Sequence, residues 1–418
     1  MWIDRHPALI VKPAGTSDVV SSVNFARENG LPLAVKGGGH NVAGNAVCDD
    51  GLVIDFSNMR SVRVDPKRMV ARAEAGATWG DYDRETQLFG MATPGGLNST
   101  TGLAGFTLGG GIGWLMSKYG LTCDNLISAD VITADGKVLL ASEKENSDLF
   151  WGIRGGGGNF GVVTSFELKV HPVRTVLGGP AVHLLERANE VLRFMREFDR
   201  NVPDELGLAA TFRQMPDGSQ AITLGTCYHG DVKEGEKVLA PLRRFGPPKA
   251  DLIKERPYAE FQTLVDPMWP KGLHLYWKSG FFEKLSDEII ETVVAHAKTK
   301  PSPISIITIL LHHGVASRIK PKATAFNHRA RLYNLNIQAQ WPDPADTEKN
   351  LKWIRDFWSD LEPMMTGRVY VNFLSEEGDA RVRAAYGENY DRLVALKNKY
   401  DPTNLFRFNQ NIKPTNAA

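Results

Sequence analysis

VKGGGHNVAG, residues 35–44, sets three glycines and then a histidine directly after an apolar stretch. Glycines let a backbone fold closely around another group, typically a phosphate, because no Cβ stands in the way. A histidine beside such a loop is a ligand, a base or an ordinary loop residue. Three further clusters bear on the choice: PGGLNSTTGLAG (94–105), TLGGGIGW (107–114) and RGGGGNFG (154–161). Of 40 glycines, 24 lie between Gly37 and Gly161, so the first third of the chain is built differently from the rest. One cluster fits a plain tight turn. Four, interleaved with Ser99, Thr100, Thr101 and Asn159, fit an extended phosphate-bearing cofactor better.

The dinucleotide fingerprint GxGxxG occurs at Gly156, Gly158 and Gly161. That motif works only with a strand before it and a helix after it, so that the helix N-terminus meets the pyrophosphate. Here DLFWGIRG before the loop has helical character and VVTSFELKV after it is a strand, which argues against a Rossmann site. No GxxxxGK[ST] occurs, which excludes a P-loop NTPase.

Forty-nine basic and 48 acidic residues leave a net charge of +1, with no long run of either sign, which argues against nucleic acid or an anionic membrane as partner. No apolar stretch is long enough to span a bilayer, and the N-terminus lacks a signal-peptide layout, pointing to the cytoplasm. Cys48, Cys123 and Cys227 form neither a disulfide framework nor a metal site. His312-His313 are strand neighbours that face opposite ways, so no metal is expected there.

At 418 residues the chain exceeds one ordinary core. Up to about 173, short strands alternate with helices. TSDVVSSVNFAREN reads as a helix with Ser17 or Asp18 as cap, ISADVITADGKVLLAS as a hairpin, and GVVTSFELKVHPV as a strand. Beyond 174, amphipathic helices (LLERANEVLRFMREFD, SDEIIETVVAHAKTK, DTEKNLKWIRDFWSDL) alternate with strands such as LYNLNIQAQW. This pattern predicts an antiparallel sheet backed by helices on one face.

The order KGGGH, PGG…TTGLAG…GGGIG…KYGLTCDN, DLFWGIRGGGGNFGVVTSFE and finally NYDRLVALKNKYDPTNLFRFNQNIKP resembles the berberine bridge enzyme-like FAD-linked oxidases of the vanillyl-alcohol oxidase superfamily. The resemblance runs over essentially the whole chain. It implies an α+β, two-domain flavoprotein: a PCMH-type FAD-binding domain over 1–173, a substrate domain over 174–367, and a C-terminal segment, 368–418, returning to the first. It also implies that an N-terminal helical segment usual in relatives is absent or trimmed.

Carried over residue by residue, the resemblance implies a covalent 8α-histidyl link from FAD to His40, with Lys36 replacing the family's arginine. Gly37, Gly38 and Gly39 line the pyrophosphate, with Asn41 and Gly44 completing the loop. The cysteine that forms a second tether in many relatives is replaced by Asn98, which implies a single link of the hydroxynicotine-oxidase kind. Pro94, Gly95, Thr100, Thr101, Gly102, Gly105, Gly109, Gly110, Gly111 and Gly113 fall beside the ring and ribityl chain. Asn159, Gly161 and Val163 fall near the adenosine half, and Asn409 and Asn411 return to the flavin. Thr101 stands at the oxygen-gate position, and Ile112 replaces a substrate-facing aromatic.

RVYVNF (368–373) resembles the family strand whose tyrosine is a base, pointing to Tyr370, although a free phenol has a pKa of about 10. Tyr276, Lys278, His328 and Tyr333, placed on strands of the middle domain, are candidate substrate contacts. The expected activity is hydride removal from a small organic alcohol or amine, with O2 as acceptor and H2O2 as product. A dehydrogenase with another acceptor and a non-catalytic flavin-binding protein are the alternatives. The oligomeric state is open.

Overall fold

The computed structural model describes residues 3–375 and 377–415. Leu33–Lys36 runs parallel to Leu52–Asp55, which also pairs in parallel with Leu9–Val11. The glycine loop therefore leaves the carboxyl end of a short parallel sheet, where α/β proteins place ligands. Lys36 and Asp55, paired in register at that end, form an ion pair of 3.1 Å. Beside this sheet lies a five-stranded antiparallel one, ordered 62–65, 70–74, 162–169, 126–132, 138–142. The helix Thr16–Glu28 covers both, burying Val19, Val23 and Ala26. Neither Ser17 nor Asp18 caps it. Gly15 occupies that position, and Asp18 instead accepts from Ala14 N at 2.8 Å.

The middle of the chain forms an eight-stranded antiparallel sheet whose central order is 175–184, 220–228, 206–214, 306–312, 332–341, 274–282. Strand alternation divides its side chains between two layers. Leu208, Ala210 and Phe212, Ile307 and Ile309, and Leu335, Ile337 and Ala339 face the helices Ala188–Phe198, Asp287–Lys298 and Thr347–Leu361. Ala209, Leu310 and Phe281 face the first part of the chain and join its core. The segment after 368 joins that core too, through Val369, Leu374, Leu393 and Ile412. RVYVNF is no strand: residues 371–373 make a single 3-10 turn, because Val369 and Tyr370 are buried in succession and leave no alternating face.

The glycine cluster at 156–161 follows the helix Ser147–Ile153 and precedes the strand Val162–Lys169, the reverse of a Rossmann turn. Among the described residues no helix is long and apolar enough to cross a membrane, and no group of three or more His, Cys, Asp or Glu could hold a metal ion.

Where Trp79–Thr86 packs on Tyr258–Gln262, a carboxyl group is fully enclosed. Burial raises Asp83 to about 7, and its one partner among the described residues is Gln262 Nε2 at 3.4 Å. Above pH 7 the folded protein carries the full cost of that buried charge; below about pH 4 the carboxyl is protonated folded or unfolded and the cost vanishes. Asp83→Asn is therefore expected to stabilise the fold by up to about 4 kcal/mol at pH 8, and by progressively less toward pH 5, measured as denaturation midpoints.

Candidate functional site

Two glycine loops meet backbone to backbone. A Cβ built on Gly38 would stand 2.4 Å from Gly102 N and Cα, and one on Gly102 equally close to Gly38 N. A second such contact places Gly113 against Gly95 O. These approaches leave room for no side chain, which is the physical reason for glycine at 38, 102 and 113, while at Gly95 a Cβ would meet the Trp79 ring. Phe326 performs a related task from the middle of the chain, filling the space where Gly110 and Gly155, both at φ +120°, carry no Cβ.

Against this floor the 98–101 turn is pinned from two sides. Asn98 Oδ1 accepts from Thr100 N at 2.9 Å, and Asp266, on the middle domain, accepts from Ser99 N at 2.9 Å and Ser99 Oγ at 2.5 Å. Thr100 Oγ1 lies 3.0 Å from His40 Nε2. The imidazole is solvent-accessible yet ringed by protein. That lost hydration lowers its pKa, with Asp266 pulling the other way, so the ring is neutral at pH 7. The C-terminal segment closes the third side: Asn45 Nδ2 donates to Asn409 O at 3.2 Å, and Asn409 Nδ2 to Gly158 O at 3.3 Å. Asn409 Oδ1 and Asn411 Oδ1 are buried acceptors with no donor among the described residues.

The residues expected at a cofactor thus divide. Lys36 to Asn41, Asn98, Thr100, Thr101 and Gly105 keep accessible surface, and Asn409 is tied to the His40 loop through Asn45. Gly44, Pro94, Gly95, Gly102, Gly109 to Gly111 and Gly113 are buried supports beneath it. Asn159 departs from expectation: its amide is consumed by Gly156 O, Tyr386 OH, Gln410 O and Ile412 N, which anchors the C-terminal segment. Gly161 and Val163 are packed inside the sheet layer beside Ile132 and Val131.

The catalytic expectation for Tyr370 also changes. Its side chain is fully buried, and the phenol oxygen receives Gly111 N at 2.9 Å, Ile112 N at 3.3 Å and Asn372 Nδ2 at 2.8 Å. Burial pushes its pKa up despite these donors. Tyr370 fixes the 109–113 loop and presents no surface to a substrate. Ile112 is likewise a core residue.

Tyr276, Lys278 and Tyr333 sit on the helix-covered face of the large sheet, because they share strand parity or register with Leu335, Ile337 and Ala339. Lys278 pairs with Glu377 at 2.7 Å over the Trp358 ring, and Tyr333 donates to Asp199. His328 lies in a connection, with its ring buried, lowered to about 4 and donating Nε2–H to Val369 O at 2.8 Å. The His328 ring packs on Phe326, and the three strand residues face away from the glycine loops.

What does face them is the opposite parity. Asn336 and Gln338 accept from Trp277 Nε1 at 3.0 Å and Trp269 Nε1 at 2.9 Å. Beside them a cavity of about 210 Å³ opens between the sheet and the Phe261–Trp269 segment, with Trp114 and Leu97 closing it from the glycine-loop side. The alternation in LYNLNIQAQW carried the signal for the polar row; nothing in the sequence marked Asp266.

Residues 7–142 match the model of the FAD binding domain and residues 369–413 that of "berberine and berberine like". An FAD-linked oxidoreductase of Dictyostelium discoideum is 35% identical over 98% of this chain and 89% of its own length. The chain belongs to the berberine bridge enzyme-like FAD-linked oxidoreductases. The (R)-6-hydroxynicotine oxidase of Paenarthrobacter nicotinovorans is 31% identical over 99% of this chain and 93% of its own. The crystal structure of 6-hydroxy-D-nicotine oxidase from Arthrobacter nicotinovorans superposes with a TM-score of 0.89 at 29% identity, covering 98% of this chain and 92% of that one. The α+β architecture with its PCMH-type FAD-binding domain is that of the oxidoreductase family, and the protein is an FAD-linked enzyme.

Two outcomes follow from the supports. Tyr370→Phe strands the buried Gly111 and Ile112 N–H groups and removes one acceptor of the half-buried Asn372 amide, so it should cost about 1–3 kcal/mol in denaturant titration. Gly38→Ala forces backbones apart that cannot yield, and should cost about 1–3 kcal/mol or more and abolish retention of yellow flavin on purification.

Proposed function

We propose that this enzyme holds FAD covalently through His40 and oxidises a small organic alcohol or amine, passing electrons to O2 with release of H2O2. The observation that carries the reading is the accessible His40 ring beside Thr100, in a glycine loop that Asn45 ties to Asn409 of the C-terminal segment, where Asn409 Oδ1 and Asn411 Oδ1 are buried acceptors with no donor among the described residues. Those acceptors suit the N–H and hydroxyl groups of a flavin and its ribityl chain. Gly105, exposed on the short helix Leu103–Leu108 with nothing within 4 Å of its Cβ direction, leaves close approach open on the same side. At the position of the second tether Asn98 takes part in its turn, and Cys48, Cys123 and Cys227 are all buried.

When bound, FAD supplies the two-electron acceptor for a hydride from substrate carbon. The chain's part is positional. Ser99–Asp266 locks the turn beside His40 onto the middle domain. Tyr370 holds the 109–113 loop rigid, and the cavity behind Trp114 orients the substrate and excludes water.

Acid denaturation of wild type should give a yellow precipitate, and that of His40→Ala a colourless one with flavin in the supernatant. Yellow that stays with both places the tether elsewhere. Hydrogen peroxide formed in step with substrate loss supports O2 as acceptor; substrate oxidation without peroxide makes the enzyme a dehydrogenase. Gly105→Ala adds a helix-favouring residue at an open position, so the flavin-free protein should gain about 0.5–1 kcal/mol while flavin retention falls.

A further inference from the structure

The cavity behind Trp114 contains a charge that the protein does not answer. Thr211 and Arg213 project from the strand Leu206–Gln214 toward the glycine-loop side, and both line the cavity. Among the described residues Arg213 Nε is buried without a partner, and its Nη1 reaches only Met268 Sδ, at 3.3 Å. A thioether is a weak acceptor. Burial lowers the pKa of this guanidinium, and no neighbouring carboxylate raises it again. No Asp or Glu lines the cavity.

The other guanidinium there, Arg256, also has a buried Nε with no partner among the described residues, but unlike Arg213 it has a carboxylate beside it, Glu260 at 3.7 Å, and donates to Leu252 O at 3.0 Å. The remaining walls are apolar and aromatic, with hydroxyls only from threonines. A planar fork with one unmet charge among hydrophobic walls matches one carboxylate on an aromatic or aliphatic body; a doubly charged phosphate would be left half neutralised.

The cavity also belongs to the flavin end of the molecule. Trp114 directly follows Gly113, Leu97 directly precedes the Asn98 turn, and Val265 on the opposite wall directly precedes Asp266, which holds Ser99. We propose that the substrate carries a carboxylate that pairs with Arg213, its hydrophobic body lying against Trp114, Phe261 and Trp269. This rests on the reading of the cavity as the substrate end of the proposed flavin site, and it narrows the alcohol or amine to one that is also an acid.

The test is calorimetric titration of the purified, flavin-loaded protein with 3-phenylpropionate and its neutral counterpart 3-phenylpropionamide. Wild type should bind the acid at least about 10-fold more tightly than the amide, as charge-assisted pairing requires. Arg213→Met should lose that preference while keeping amide affinity, and its melting temperature should not fall, because the charge removed had no partner. Arg213→Lys, a charge without the fork, should keep an intermediate preference. Equal binding of acid and amide to wild type overturns the proposal, and so does an acid preference that survives Arg213→Met. If neutral alcohols or amines bleach the flavin while the acid fails to bind, the carboxylate is refuted and the oxidoreductase reading stands. If acid binding depends on Arg213 but no compound bleaches the flavin, the anion site is upheld and the redox role of the cavity is refuted.

Discussion

Everything near His40 depends on two backbones touching at Gly38 and Gly102. Contact without side chains brings the loop after the strand Leu33–Lys36 against the turn that opens the helix Leu103–Leu108. That closeness sets Thr100 within hydrogen-bond reach of His40. It also explains why the polar residues of the 98–101 turn are satisfied from outside the loop pair. With no side chains between the two strands of backbone, the turn has to be steadied from above, and Asp266 does so. A site built this way is stiff where a cofactor needs fixed geometry, and it tolerates little substitution.

The two cores are joined by charge as well as by shape. Arg329, fully buried, makes a fork-to-fork pair with Asp124 at 2.7 Å for each bond. Asp124 in turn accepts from Leu121 N, and Arg329 donates to Thr324 Oγ1. The pair positions the connection that carries Phe326, the ring behind which Gly110 and Gly155 fold. A buried pair of this kind adds little net stability over apolar packing, but it specifies one arrangement of the connection. Lys397 does the same for the C-terminal segment: fully buried, it donates to Asp401, Asn159 O and Phe406 O.

Glycine clusters and alternation are local, so both were readable in the sequence: the loops, the hairpins and the helix-backed sheet follow from them. The face of a strand toward which a side chain points is set by parity within the strand and by the partner's register. In LYNLNIQAQW the parity was on view, and it puts Tyr333 with Leu335 and Ile337, away from the loops. In HLYWKSGFF no alternation appears, so only the pairing of Lys278 with Ile337 decides its side. Tyr370 was legible as a family position, but its burial depends on a loop some 260 residues earlier that donates to its oxygen. Asp266 and Arg213 carry no motif at all; their roles come from what the fold brings beside them.

One feature of the C-terminal closure bears on how the molecule comes into being. Asn45 and Asn409 meet across 364 residues, and Asn159 is gripped by Gln410 and Ile412. While the ribosome is still translating the middle sheet, the region around His40 is an open trough with its third wall unmade. The helix Thr16–Glu28 can cover the early strands at once, but the side closed by Asn409 waits until that residue has emerged. Contacts so distant along the chain slow folding and lengthen exposure to aggregation. Cofactor capture thus belongs to the end of biosynthesis, and a flavin that arrives then helps to seal the structure it enters.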